Sequence, residues 1–314
     1  MQATGGASLT LTVPKTWAHS HNLSSKDEVI ISASSSALTI RPAGKSKQEV
    51  TAEIIIDNIP HAWLVRELIA AYIAGADKMT FRSRRITTEQ NEAIRQAVQL
   101  LFGCEIFEET SQKIAVRTIF EDNRFPASES TLRIFSIVSS MFEDALKAAR
   151  TGDQALATDV KLRDQEVDKF VHAIKRQYNA VVSGKLEGAI EEVSFYRSVA
   201  TQLERIGDHA LKIAELASIN RTEPVKLSST FPTIQSRMQQ LLRDAEAMVR
   251  ALNKRQAHQI LDSDSELERL IYSSERLKLS YEGALIEDSL DRLRGYLMNI
   301  AELTIDYLFK RAET

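Results

Sequence analysis

Glu204 and Asp208 lie four residues apart in the run Leu203-Glu204-Arg205-Ile206-Gly207-Asp208-His209-Ala210. On a helix, side chains at i and i+4 stand one above the other, and two like charges so placed repel by about 0.2–0.5 kcal/mol on an exposed surface. Such a pair calls for a cation or an arginine between the carboxylates, or else lies on a solvated face neutralised by Arg205 and Lys212. Asp164 and Asp168 form a second pair with the same spacing. Carboxylate oxygens are hard ligands, so a site built from these four residues suits magnesium, manganese or calcium, with iron also compatible. His209 is either an added nitrogen ligand or a solvated or arginine-paired neighbour, because adjacent helical residues point about 100° apart.

Other chemistries lack their parts. Cys104 is the only cysteine, which excludes an internal disulfide and a cysteine zinc cluster and fits a reducing compartment. None of the six histidines has a carboxylate three residues before it, against the helix-bundle diiron pattern. The chain has no Gly-x-Gly-x-x-Gly, phosphate-loop or Gly-x-Ser-x-Gly motif. The reading is that the protein is not an enzyme.

The elements that must position these acids are helices. Leu203, Ile206, Ala210, Ile213 and Ala217 recur at spacings of three and four, which predicts a helix burying one stripe. Val160, Val167, Val171, Ile174, Tyr178 and Val181 mark an earlier helix, with Asp164 and Asp168 flanking its seam. Short connections make sequential helices antiparallel neighbours, so the two helices are expected to bring four carboxylates together.

The pattern is duplicated. Leu290-Asp291-Arg292-Leu293 repeats Leu203-Glu204-Arg205-Ile206 at an offset of 87, and Ile260 to Glu268 repeats Val160 to Asp168 at an offset of 100, which also pairs Asp144 with Asp244. These offsets predict two copies of a three-helix unit. Their difference of 13 residues is assigned to a shorter connection between the second and third helices of the later copy. Asp291 stands where Glu204 stands in the first copy, but Gly295 replaces the counterpart of Asp208. Breaks at Gly152, Gly184 and the stretch Arg221 to Pro232 divide the region from Pro126 onward into six helices.

Ahead of the helices come two smaller regions. Residues 1–47 read as short strands around a helical turn, too few to close a core alone, so a homodimer or higher homo-oligomer is expected. This segment holds Lys15, Lys26, Arg41, Lys45 and Lys47 against Asp27 and Glu28, a balance of +3. Doubled in a dimer, that charge suits DNA phosphates, with Lys15, Lys45 and Lys47 as candidate contacts, or the segment is only a dimerisation clamp. Residues 48–122 alternate strand and helix, an α+β module in which Thr87 and Gln90 cap a helix. Trp63 and Tyr72 are assigned to its core. Arg82, Arg84 and Arg85 are either a phosphate or nucleic-acid contact or a solvated loop.

Length and composition set outer bounds. With 314 residues, 43% hydrophobic and 26% charged, the chain is sized for two or three domains and a sizeable core. A net charge of -3 gives no overall drive toward nucleic acid or acidic lipid. No stretch reaches the ~18–20 apolar residues of a membrane span, and a cytoplasmic location is expected.

Two resemblances sharpen this reading. Gly5-Gly6-Ala7-Ser8-Leu9-Thr10-Leu11-Thr12-Val13-Pro14-Lys15 followed by Leu23-Ser24-Ser25-Lys26-Asp27-Glu28-Val29 resembles the AbrB/SpoVT swapped-hairpin family. That implies two chains interleaving hairpins into one small barrel, with DNA binding in many members. Lys26 stands where that family usually has a glycine. Leu203-Glu-Arg-Ile-Gly-Asp-His-Ala, the Asp164 and Asp168 helix and the tandem repeat resemble the PhoU family, and the combination is similar to archaeal PhoU-like regulators. The resemblance implies a regulator of phosphate uptake whose Glu/Asp-x-x-x-Asp motifs bind metal. It points to Glu204, Asp208, Asp164, Asp168 and Asp291, and to a phosphate transporter or its signalling kinase as partner. The alternative is an AbrB-type DNA-binding transcription regulator with the bundle as effector domain. The expected fold is multidomain and mainly α. Tandem three-helix bundles over 126–314, as repeats 126–220 and 232–314, follow a small β swapped-hairpin domain (1–47) and a small α+β module (48–122).

Overall fold

A computed structural model describes residues 2–4, 8–33, 38–43, 49–119, 126–219, 225–272 and 279–312. The chain divides into two compact units, Met1–Gln48 and Glu49–Glu313 apart from the last residue.

The first unit contains two antiparallel hairpins, β1 (Gln2–Thr4) with β2 (Ser8–Thr10) and β3 (Val29–Ala33) with β4 (Leu38–Pro42), around the short helix α1 (Lys15–Ser20). Trp17 anchors the end of α1, its carbonyl accepting from Ser20 Oγ at 2.9 Å. Lys26 has φ +85°, the left-handed conformation that the family's glycine adopts freely. Asp27 holds this turn by accepting from Ser24 N at 2.7 Å and Ser24 Oγ at 3.1 Å. No residue whose burial is described in this unit is buried, and Leu11, Val29, Ile30, Ile31 and Leu38 are exposed.

The second unit holds two hydrophobic cores. The smaller belongs to a four-stranded sheet in the order β5-β6-β8-β7, made of β5 (Thr51–Ile55), β6 (Lys78–Arg82), β7 (Cys104–Glu109) and β8 (Lys113–Thr118). β5 and β6 are parallel and joined through α2 (His61–Ile73), and α3 (Thr88–Gln99) packs on α2. Thr87 caps α3 in a reciprocal box with Gln90, satisfying two otherwise orphaned backbone donors. Tyr72 is fully buried, but Trp63 is 60% exposed, against the core assignment. The inward stripe of α2 is Leu64, Leu68 and Tyr72 at i, i+4 and i+8, and Trp63 lies one residue off it.

The larger core belongs to the helices: α4 (Ala127–Thr151), α5 (Gln154–Val182), α6 (Ile190–Glu215), α7 (Phe231–Ala251), α8 (Lys254–Asp262), α9 (Asp264–Ile271) and α10 (Tyr281–Ala312). α4, α5 and α6 pack mutually, α7, α8 and α9 pack with α10, and α6 joins α10 across the two copies. The offset of 100 holds at the first corner of each copy. Gly152 and Leu252 both end their helices in the left-handed conformation, and the side chains of Asp153 and Asn253 both cap the next helix.

One expectation changes. The second helix of the later copy is broken at Ser263, so among the described residues seven α-helices stand where six were expected. The connection after α9, to which the 13-residue difference was assigned, falls at residues 273–278, outside the described residues.

The module is fastened to the bundle by α5. Arg176, 1% exposed, donates to the carbonyls of Tyr72 (2.8 Å) and Ala76 (2.9 Å) and pairs with Asp77 (3.2 Å). Asn179 Nδ2 donates to the Ile73 carbonyl at 2.8 Å. The last turn of α2 leaves carbonyls without intrahelical partners, and the bundle supplies donors for them. Gly75 turns at φ +91°, where an added Cβ would lie 3.4 Å from Lys185 Nζ.

Candidate functional site

The acidic ridge sits where α5 meets α6. Leu203, Ile206, Ala210, Ile213 and Ala217 are all buried, which turns Glu204 and Asp208 to the rim of the seam. Glu204 is half-buried and Asp208 exposed, and Asp164 and Asp168 are half-buried opposite them. Asp164 packs against Gly207: a Cβ there would sit 3.4 Å from Asp164 Oδ1, in ordinary van der Waals contact.

The four carboxylates act on one another. Burial first, then Asp208, Glu204 and Glu215, push the Asp164 carboxyl up to about 6. Burial, then Asp164, Glu204 and Asp208, push Asp168 up to about 7, with Lys175 opposing. Desolvation and like charge both disfavour the ionised form. Among the described residues none of the four has an ion pair or a side-chain hydrogen bond. No three His, Cys, Asp or Glu side chains among the described residues converge into a ready-made metal cage. The donor chemistry thus suits a hard cation, whose capture requires these side chains to reorient.

The matching ridge of the second copy is built differently. Asp291 falls at the register of Glu204, Asp264 at that of Asp164 and Glu268 at that of Asp168, but Arg294 takes the position of Gly207. Its guanidinium, whose side chain is 12% exposed, pairs with Asp264, with Asp291 at 2.9 Å and with Glu268 at 3.7 Å. Tyr272 donates its hydroxyl to Asp291 Oδ2 at 2.8 Å. The structure therefore joins Asp291 to a resident arginine and not to Glu204 and Asp208. Sequence reasoning missed Arg294, although the offset of 87 placed it opposite Gly207.

His209 is half-buried beside the ridge. Its Nδ1 is withdrawn from solvent without a hydrogen-bond partner, and its ring lies 5.8 Å from that of Tyr296. Burial, then Lys212, lower its pKa, with Asp208 opposing. The basic candidates fall elsewhere. Lys15 is exposed at the start of α1, and Lys45 and Lys47 lie outside the described residues. Arg82 pairs with Glu53, and the Arg84 amide donates to Asp57 at 2.9 Å, so the arginine cluster is spread along a braced loop.

Comparison with known proteins bears on this region directly. Residues 131–217 match the family model described as PhoU domain. Residues 131–217 are thus similar to a PhoU domain. Residues 2–48 match the model described as antidote-toxin recognition MazE, bacterial antitoxin, in keeping with the swapped-hairpin resemblance. The chain is similar to a Caulobacter vibrioides phosphate-specific transport system accessory protein PhoU homolog, 31% identical over 129 residues. That alignment takes in 40% of this chain and 56% of the relative, so the chain spans about half the length of the curated relative it matches. Two crystal structures share the fold: PhoU from Pseudomonas aeruginosa (TM-score 0.50, 20% identity, 59% of this chain and 96% of that one) and the phosphate transport system regulatory protein PhoU from Streptococcus pneumoniae (TM-score 0.52, 19% identity, 59% and 94%). Among the described residues no helix is long and apolar enough to cross a membrane.

Proposed function

We propose that this chain is a cytoplasmic, non-enzymatic regulator of phosphate transport, in which the PhoU-domain ridge holds a hard metal ion and the N-terminal unit joins two copies. One observation supports the metal reading above others. Equivalent acids surround an arginine in the second copy, whereas Asp164, Asp168, Glu204 and Asp208 have no ion-pair partner among the described residues. These four residues would hold iron, manganese, magnesium or calcium, and the ion would supply the positive charge the ridge lacks. The partner in this reading is a phosphate transporter or its signalling kinase.

Elemental analysis of chain purified without chelators tests the ridge. At least one metal ion per chain is expected, falling at least tenfold in Glu204→Ala with Asp208→Ala. Unchanged content would remove these ligands.

The pairing of two copies has its own support. The N-terminal hairpin of β3 and β4 leaves Val29, Ile31 and Leu38 exposed on one face and Ile30 on the other, apolar surface that folding of one copy does not bury. Ile31→Glu in the full chain should halve the mass seen in sedimentation, and an unchanged mass would place the contact elsewhere. This apolar surface favours pairing over duplex DNA as the main task of the unit.

A further inference from the structure

The two copies differ at a second place, on the opposite flank of their middle helices. In the first copy Arg163 reaches from α5 to α4, donating to Ser140 Oγ at 2.6 Å and pairing with Asp144 at 2.7 Å. The offset of 100 replaces Arg163 by Ser263, Ser140 by Gln240 and Leu156 by Gln256, while Asp144 is retained as Asp244. Where the arginine is missing, a cavity of about 220 Å³ opens, lined by Gln240, Asp244, Gln256 and Ser263. It is smaller than the ~300 Å³ at which small-molecule pockets begin, and close to the size class of one long side chain.

The lining offers acceptors. Among the described residues Asp244 receives only the Gln240 amide, at 2.8 Å, and the carbonyl oxygen of Gln256 is shielded from water without a hydrogen-bond partner. Arg237 and Glu266 also line the cavity and are paired with each other at 3.1 Å. A group that satisfies Asp244 and the Gln256 carbonyl oxygen donates to both, and the Asp244 carboxylate favours one that carries positive charge. A planar guanidinium does both, and meets a carboxylate with two parallel donors where an ammonium acts as a point charge.

We infer that this cavity is a receptor for a guanidinium group brought by a ligand or a partner chain, filling the place that Arg163 fills in the first copy. The metal reading plays no part in it. The group comes either from a free guanidino compound or from an arginine of a partner protein.

Saturation-transfer NMR on the full chain tests this, with ethylguanidinium, ethylammonium and the blocked peptide acetyl-Gly-Arg-Gly-amide as probes. Ethylguanidinium is expected to bind at least tenfold more tightly than ethylammonium. Asp244→Asn should weaken it at least tenfold, and Ser263→Arg, which fills the cavity from within, should abolish binding and raise the melting temperature. Arg163→Ser should open the twin cavity and add a second equivalent of bound guanidinium. A peptide that binds at least tenfold better than ethylguanidinium identifies a partner's arginine as the source, and equal binding identifies a free guanidino compound. Equal binding of ethylguanidinium and ethylammonium, binding that survives both Asp244→Asn and Ser263→Arg, or no binding at 50-fold excess over the chain would each overturn the assignment.

Discussion

One helical triplet occurs twice in this chain, and the copies solve the same electrostatic problem in opposite ways. Around α9 and α10 the acids Asp264, Glu268 and Asp291 enclose Arg294, a cation supplied by the chain. Around α5 and α6 the equivalent position is Gly207, and Asp164 and Asp168 are pushed toward protonation by burial and by their neighbours. The flank facing the first helix inverts this arrangement. There the first copy carries its own Arg163 and the second leaves a cavity. On each flank the copy that has the arginine neutralises its own acids, and among the described residues the copy that lacks it leaves them without a cation.

The largest expected effect is on the sealed ridge. Arg294→Ala strands three carboxylates beside a buried seam and should cost about 3 kcal/mol in urea unfolding, the lower end for a broken buried pair because Asp264 and Glu268 are partly exposed. A loss under 0.5 kcal/mol would mean the arginine is only a surface partner. Gly207→Arg makes the converse change and should remove bound metal from the open ridge, as read by elemental analysis; retained metal would break the comparison.

Next comes pH. In chelator-treated protein Asp164 and Asp168 have folded pKa values of about 6 and about 7, above the ordinary 3.8. Their protonated forms favour folding, so their contribution is fully favourable below about pH 4 and is lost as pH rises through 6 to 7. With a discount for partial exposure the loss is about 1–2 kcal/mol per group. Asp168→Asn should flatten the slope of unfolding free energy between pH 4.5 and 7.5, and an unchanged slope would show the ridge to be fully solvated.

The smallest effect is at the shared corner. Gly152 has φ +71° with open space around its Cα, so Gly152→Ala should cost about 1 kcal/mol through backbone strain alone. Leu252 already bears that strain at φ +48°. A neutral Gly152→Ala in thermal unfolding would mean that the corner relaxes.

Much of this architecture could be read from residue order. The stripe of Leu203, Ile206 and Ala210 predicted the buried face of α6, the Thr87 and Gln90 box predicted the start of α3, and the break at Gly152 predicted the end of α4. These are local signals, set by helical period and by backbone groups needing a cap within a few residues. Trp63 was misplaced because one residue of helical phase decides inside from outside, and a short apolar run leaves that phase open.

The sequence by itself determined that two acidic pairs lie on neighbouring helices and that the unit carrying them is duplicated. Only the tertiary structure decided which acids remain without a counter-ion. Charge compensation depends on which side chain crosses the seam between helices, and Arg294, Arg163 and Arg176 each reach partners 19 residues or more away or on another element. Spacing along one helix carries no record of that reach, because it is set by the distance between helix axes and by the glycine or arginine that each position presents to the gap.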